Sequence, residues 1–369
     1  MNRDVAKRVA EAAEANDLDA VVALSPENVA YLLGFVVPSQ PSMRWRHAGV
    51  VLTREARSGI LAVDMEAATV REREPDADIR VWHEFGHDAV DVLIDLLRDL
   101  GLTGSRVGIE TEYVPARDMD ALRSGLRGVR WEPAGALFGR SRMIKTPREV
   151  ELMRGLSRVT DRAIWEALGS VREGDTERDL AAAVTGALYR LGAERHDLLI
   201  VASGERSRLP NVGPTDRVLR SGDLVRLEVF GVVQGYHAGV CRTAAVHEAP
   251  REARRIWSNL VRCRDVLAEE IRPGAGSSAV YRAFLSVFSE LGYEPISFVG
   301  HGIGLHLHEE PYLGLQGEWT LEEGMVLGVE PLVYGPQFGL QMKDVVAVTG
   351  SGSQRLSDVS DTDRLFTIG

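Results

Sequence analysis

Apolar side chains recur at helical spacing over residues 5–16 and are followed over 19–24 by a segment that is apolar from Ala20 onward. The first pattern predicts an amphipathic helix and the second a buried strand. Ser25-Pro26-Glu27-Asn28 places a capping hydroxyl ahead of an N1 proline, so a second helix should run through Leu33, where Gly34 stops it. Short apolar runs return at 49–52, 59–63 and 107–108, with a helical pattern from His87 to Leu100 between the last two. The first third therefore reads as a small α/β domain, residues 1–140.

Thr146-Pro147-Arg148-Glu149 begins the second part with a helix start, a hydroxyl before proline and an acid in the first turn, and predicts a long helix to about Leu168. A helix over 177–191, a strand over 198–202 and strands on either side of 231–235 follow. Helices over 252–269 and 277–291 come next, then closing strands over 325–333 and 341–349. Long helices alternate with antiparallel strand pairs, so the fold class is α+β, with a second domain over 141–369. The Glu-rich patches read as solvated surface.

Composition narrows the partners. The chain has 369 residues, 44% hydrophobic and 26% charged, with a formal net charge of −11. No apolar stretch is long enough for a membrane span, and the acidic balance disfavours nucleic acid and anionic membrane. A small-molecule partner and a cytoplasmic location are expected. Cys241 and Cys263 are too few for a disulfide framework and read as inert thiols. Lysine occurs only at positions 7, 145 and 343, so Lys343 stands out in a chain that otherwise uses arginine.

Three glycine-bounded islands carry polar groups inside apolar strands. The first is Gly222-Asp223-Leu224-Val225-Arg226-Leu227-Glu228, continued by Gly235-Tyr236-His237-Ala238-Gly239 to Arg242-Thr243. The second is Gly300-His301-Gly302-Ile303-Gly304-Leu305-His306-Leu307-His308-Glu309-Glu310-Pro311. The third is Gly324-Met325-Val326-Leu327-Gly328-Val329-Glu330-Pro331, followed by Gln341-Met342-Lys343-Asp344. A lone Glu228 or Glu330 in a buried strand is costly unless it is paired or functional.

In order, spacing and glycines these islands resemble the pita-bread family of creatinase, prolidase, aminopeptidase P and methionine aminopeptidase. Residues 203–217 extend the likeness, 28–35 resemble the N-terminal module of the creatinase and prolidase branch, and 144–153 its linker helix. The resemblance implies a C-terminal pita-bread domain behind a creatinase-type N-terminal α/β domain. In the family's peptidases five ligands hold two metals, and the matching positions here are Glu228, Gly239, His301, Glu330 and Lys343. Glycine offers no ligand and an ammonium has no lone pair, so a two-metal site is not expected.

That departure points to a metal-independent, creatinase-like hydrolase with no cofactor. It would cleave a C–N bond of a small amidine-, guanidine- or amide-like solute, cationic or zwitterionic. Glu228, His301, His308, Glu330 and Lys343 would be catalytic, with Lys343 the counter-ion to both glutamates. Asn211, at the family's first substrate-side histidine, would bind substrate with Tyr236, Arg242, Arg44 and Arg46, and the last two imply a homodimer with a shared pocket. His237 and His306 read as structural. The alternatives are a metal-dependent Xaa-Pro dipeptidase, with one ion on Glu228, His301 and Glu330, and a non-catalytic ligand-binding protein.

Overall fold

The computed structural model describes residues 1–86 and 88–369, and the chain divides into two compact units, Met1–Arg142 and Met143–Gly369. His87, the expected start of one helix, lies outside the described residues.

In the first unit α1 (Arg3–Ala15), β1 (Ala20–Ala23), α2 (Pro26–Leu33), β2 (Gly49–Thr53), β3 (Ser58–Val63), α3 (Ala67–Arg73), β4 (Ile79–Trp82), α4 (Ala89–Asp99), β5 (Arg106–Ile109), α5 (Ala116–Gly125), β6 (Arg130–Pro133) and α6 (Gly135–Met143) succeed one another. The strands form one mixed sheet in the order β4-β3-β2-β1-β5-β6. Ser25 caps α2 through its hydroxyl, 3.1 Å from the Asn28 amide, and Gly34 ends it at φ 81°, where a side chain would be strained. Periodicity missed β4 and β6 because edge strands with arginines at Arg80 and Arg130 show no apolar alternation.

The second unit opens with α7 (Pro147–Ser170), held at its start by a reciprocal capping box between Thr146 and Glu149. Then come α8 (Glu177–Leu191), β7 (Arg195–Ser203), β8 (Leu224–Val233), β9 (Tyr236–Val246), α9 (Arg251–Glu270), α10 (Ser277–Glu290), β10 (Phe298–Gly302), β11 (Glu309–Gly314), β12 (Val326–Val329), β13 (Leu332–Tyr334), β14 (Gly339–Gln341), β15 (Asp344–Thr349), β16 (Gly352–Arg355) and β17 (Phe366–Ile368). Two larger sheets result, β17-β9-β8-β7 and β11-β10-β12-β15-β16, beside the β13-β14 ribbon. The architecture is α+β. Phe284, Phe288, Leu260 and Trp257 of the helices pack with Leu327 and Val329 in one buried core. That burial supplies the main drive for the second unit.

The closing strands differ from expectation at two places. The run over 325–333 breaks at Glu330-Pro331, where proline has no amide to give the ladder. The run over 341–349 breaks at Met342-Lys343. Both interruptions free a long charged side chain from sheet alternation, and both residues turn into one cluster.

Candidate active site

Glu228 lies on β8, in register with Cys241 of β9. Lys343, in the gap between β14 and β15, exchanges backbone hydrogen bonds with Cys241, at 3.1 and 3.2 Å. Two strand contacts thus bring a glutamate and a lysine more than a hundred residues apart to the same point. The Lys343 Nζ is 3.3 Å from Glu228 Oε1 and 3.1 Å from Glu330 Oε2, with all three side chains buried. Burial opposes the ammonium, but Glu330 and Glu228 outweigh it and hold its pKa above the ordinary lysine value. Burial pushes the Glu330 carboxyl upward, against the pull of Lys343.

Sequence reasoning missed the rest of the polar network. Arg226 is two residues before Glu228, on the same face of β8, and is fully buried. It donates to Tyr334 Oη at 3.0 Å, to Gln341 Oε1 at 2.7 Å and to the carbonyls of Leu209 and Pro210. Gln341 Nε2 in turn donates to Glu330 Oε2 at 3.2 Å. The signal was a charged residue at an inward strand position, sharing a face with a second charge.

His301, on β10, is fully buried. Its Nδ1 is 2.8 Å from the Gly302 carbonyl, so that nitrogen carries the proton and donates it. Nε2 then offers a lone pair, and no hydrogen bond uses it. Glu330 Oε1 is 3.6 Å away, too far for a hydrogen bond. The His308 ring stacks on His301 with centroids 3.6 Å apart and planes 11° from parallel. Burial, then the Lys343 charge, pull both imidazoles down, His308 to about 4 and His301 well below the ordinary value. Both are neutral at physiological pH and available as ligands.

The chemistry of a bound metal can be tested against these side chains. Position 239 faces Phe230 across the β8–β9 ladder, and a Cβ on Gly239 would come within 2.4 Å of the Phe230 ring. The same ring lies 4.6 Å from Lys343 Nζ. An aromatic ring and an ammonium thus fill the space of two carboxylate ligands, and the two-metal set does not fit. Three donors for a single ion remain: His301, His308 and Glu330 present ligand atoms within 4.8 Å of one another. The unused, buried Nε2 is the strongest mark of that fit. Glu228 is not among these three, and His308 takes its place in the expected one-ion set.

The substrate-side expectations fare differently. Asn211 sits exposed on the loop whose carbonyls Arg226 holds. Tyr236 is spent on Glu149, with its hydroxyl 2.7 Å from Oε1. Arg242 is buried against Asp161 at 3.0 Å and Asp344 at 2.8 Å. In the first unit Arg46 makes a two-pronged pair with Glu84 at 2.8 and 2.9 Å, and Arg44 lies over the Tyr113 ring. Of these, Arg242 reaches the cluster through the Lys343 carbonyl, 2.8 Å away, and Asn211 follows directly on the carbonyls that Arg226 holds. His237 is held from both sides, by the Gly304 carbonyl and Asp197, as a structural histidine would be.

Known proteins bear on the chemistry. Residues 151–350 match metallopeptidase family M24 and residues 6–144 the creatinase/prolidase N-terminal domain. An Xaa-Pro dipeptidase of Pyrococcus horikoshii is 26% identical over 361 residues, 97% of either chain. A probable dipeptidase, PepE, of Mycobacterium tuberculosis is 33% identical over 247 residues, 66% of each. The crystal structure of a dipeptidase from Pyrococcus horikoshii superposes with a TM-score of 0.86 at 26% identity, covering 98% of this chain and 99% of that one. These relatives overturn the expectation of a metal-independent, creatinase-like hydrolase of amidines: their names are those of dipeptidases, and the family that matches is one of metallopeptidases. That expectation took the loss of two ligands to mean loss of the metal, whereas the donors of His301 and His308 remain unspent. The chain belongs to metallopeptidase family M24, with a creatinase/prolidase N-terminal domain ahead of its pita-bread domain.

Proposed function

We propose that the protein is a hydrolase of peptide bonds that cleaves dipeptides of the Xaa-Pro type and binds one divalent ion through His301, His308 and Glu330. The observation that carries the reading is the buried, unpartnered Nε2 of His301 beside Glu330 and His308, in a chain similar along its length to an Xaa-Pro dipeptidase. The ion would supply Lewis-acid polarisation of the scissile carbonyl.

The chain's own residues supply the rest. Glu228, 3.3 Å from the Lys343 ammonium, would take a proton from the attacking water and return it to the leaving imino nitrogen. The ammonium, 4.6 Å from the Phe230 ring centroid and shielded from bulk water, also favours negative charge developing on the substrate oxygen. Gln341 fixes Glu330, and Arg226 fixes Gln341 and the loop of Asn211, which borders the substrate side. The reading includes a homodimer, to be checked by sedimentation at micromolar concentration, where a lone monomer would count against it.

The test is a panel of Gly-Pro, Ala-Pro and Met-Pro with manganese, cobalt or zinc, set against Gly-Leu, creatine and simple amidines. Hydrolysis confined to the Xaa-Pro members and lost in Glu228→Gln is expected. Turnover of creatine or amidines alone, or of no compound, overturns the reading.

A further inference from the structure

The back of the catalytic strand carries a second cavity. Lys343 precedes β15 and joins the glutamate cluster, whereas Asp344, the first residue of β15, lines the other cavity. There α9 crosses β12, β15 and β16 and leaves a cavity of about 280 Å³ whose walls include Leu267, Ile271, Val329, Val346, Asp344 and Arg355. About 150 Å³ is enough for an apolar molecule the size of benzene.

Asp344 is only 3% exposed, and half of its carboxylate is unused. Oδ1 accepts from Arg242 Nη2 at 2.8 Å and from Ser357 Oγ at 2.7 Å, while the buried Oδ2 has no hydrogen-bond partner. A buried acceptor left unpaired is costly, and the commonest remedy is a donor from a ligand or water. Charge indicates which. Asp161 and Asp344 share the single Arg242 guanidinium, so this buried triad carries one excess negative charge and favours a cationic donor; Arg264 and Asp363, which also line the cavity, neutralise each other at 2.9 Å. Arg355 stands across the ladder from Val346, diagonal to Asp344, and supplies a positive group on the same side. Between the two charges lies the aliphatic wall.

We propose that this cavity is a binding site for a small zwitterion with an aliphatic body, that is, a free aliphatic amino acid. Its ammonium meets Asp344 Oδ2, its carboxylate faces Arg355, and its side chain packs on Leu267, Ile271 and Val329. The site communicates with the catalytic cluster, since Arg242 also donates to the Lys343 carbonyl at 2.8 Å. A ligand that draws on Asp344 therefore acts on the backbone that carries Lys343.

The experiment is calorimetric titration of the full chain with L-leucine, and separately with n-butylammonium and isovalerate, each of which keeps only one charge. Leucine is expected to bind with one site per chain, and each half-ligand at least tenfold more weakly. Ala268→Trp, which fills the cavity from the α9 side, should abolish binding, as should Arg355→Gln. Glu228→Gln, in the catalytic cluster, should leave it unchanged. Leucine binding that survives Ala268→Trp but is lost in Glu228→Gln would assign the amino acid to the catalytic pocket and overturn the proposal. So would an absence of binding at millimolar leucine. The outcome does not depend on whether Xaa-Pro dipeptides are cleaved.

Discussion

Replacing Lys343 by methionine keeps the volume of the side chain and removes its charge. Two carboxylates, Glu228 and Glu330, then face each other across a buried space with no cation between them; both are under a tenth exposed. At separations of 3.3 and 3.1 Å and an effective dielectric of about 20, each ion pair amounts to about 5 kcal/mol of Coulomb attraction. Removing the ammonium also removes its own desolvation cost, so the expected net loss is about 3–5 kcal/mol. At about 2–4 °C per kcal/mol for a domain of this size, Tm should fall by about 6–20 °C at pH 7.5.

The sign with pH follows from the carboxyls. Burial already raises Glu330, and without Lys343 to pull it back that carboxyl titrates above the unfolded value of about 4.3. A group whose pKa is raised by folding gives stability below its unfolded pKa and loses it as pH rises through the folded one. The deficit of Lys343→Met should therefore be largest near pH 8 and shrink toward pH 4.5. Thermal unfolding followed by circular dichroism across that range is the assay. A loss under about 1 kcal/mol, as for an exposed pair, or a loss independent of pH, refutes the reasoning.

Three further outcomes are expected. Arg226→Met leaves Gln341 and the 209–210 carbonyls without their donor; at about 1–3 kcal/mol per unpaired group, urea unfolding should show a large drop in midpoint. The pair Gly239→Asp and Lys343→Glu alone should fold poorly because the new side chain at 239 meets the Phe230 ring. Adding Phe230→Ala should restore folding and give two bound divalent ions per chain by calorimetry. Phe284→Ala, in the buried stack with Phe288, should cost about 3–5 kcal/mol by chemical denaturation and leave metal stoichiometry unchanged.

The first two helices of the second unit were legible because their caps are written in the sequence: the Thr146 box, and Thr176 ahead of the helix from Glu177 to Leu191. Glu228, His301, His308, Glu330 and Lys343 were legible as a set because each is a polar residue in or beside a glycine-bounded apolar stretch, and the structure brings them together. What stayed hidden depends on cross-strand register. Nothing in the chain order says that Phe230 lies opposite Gly239, or that Arg226 reaches Gln341. The spare donor atom of His301 was invisible for the same reason, since it is defined by the hydrogen bond its other nitrogen makes to the neighbouring carbonyl. Arg44 and Arg46 were chosen by charge alone, and Glu84 three strands onward decides what Arg46 does.

The central claim is that this cluster holds one divalent ion where the family's two-metal ligand set is broken. Protein freed of metal by chelation and then saturated with zinc, manganese or cobalt can be counted by elemental analysis after desalting, with calorimetry giving the affinity. One ion per chain is expected, lost in His301→Ala and in His308→Ala and retained in Glu228→Gln. Two ions per chain, or none with any of the three metals, would contradict the account.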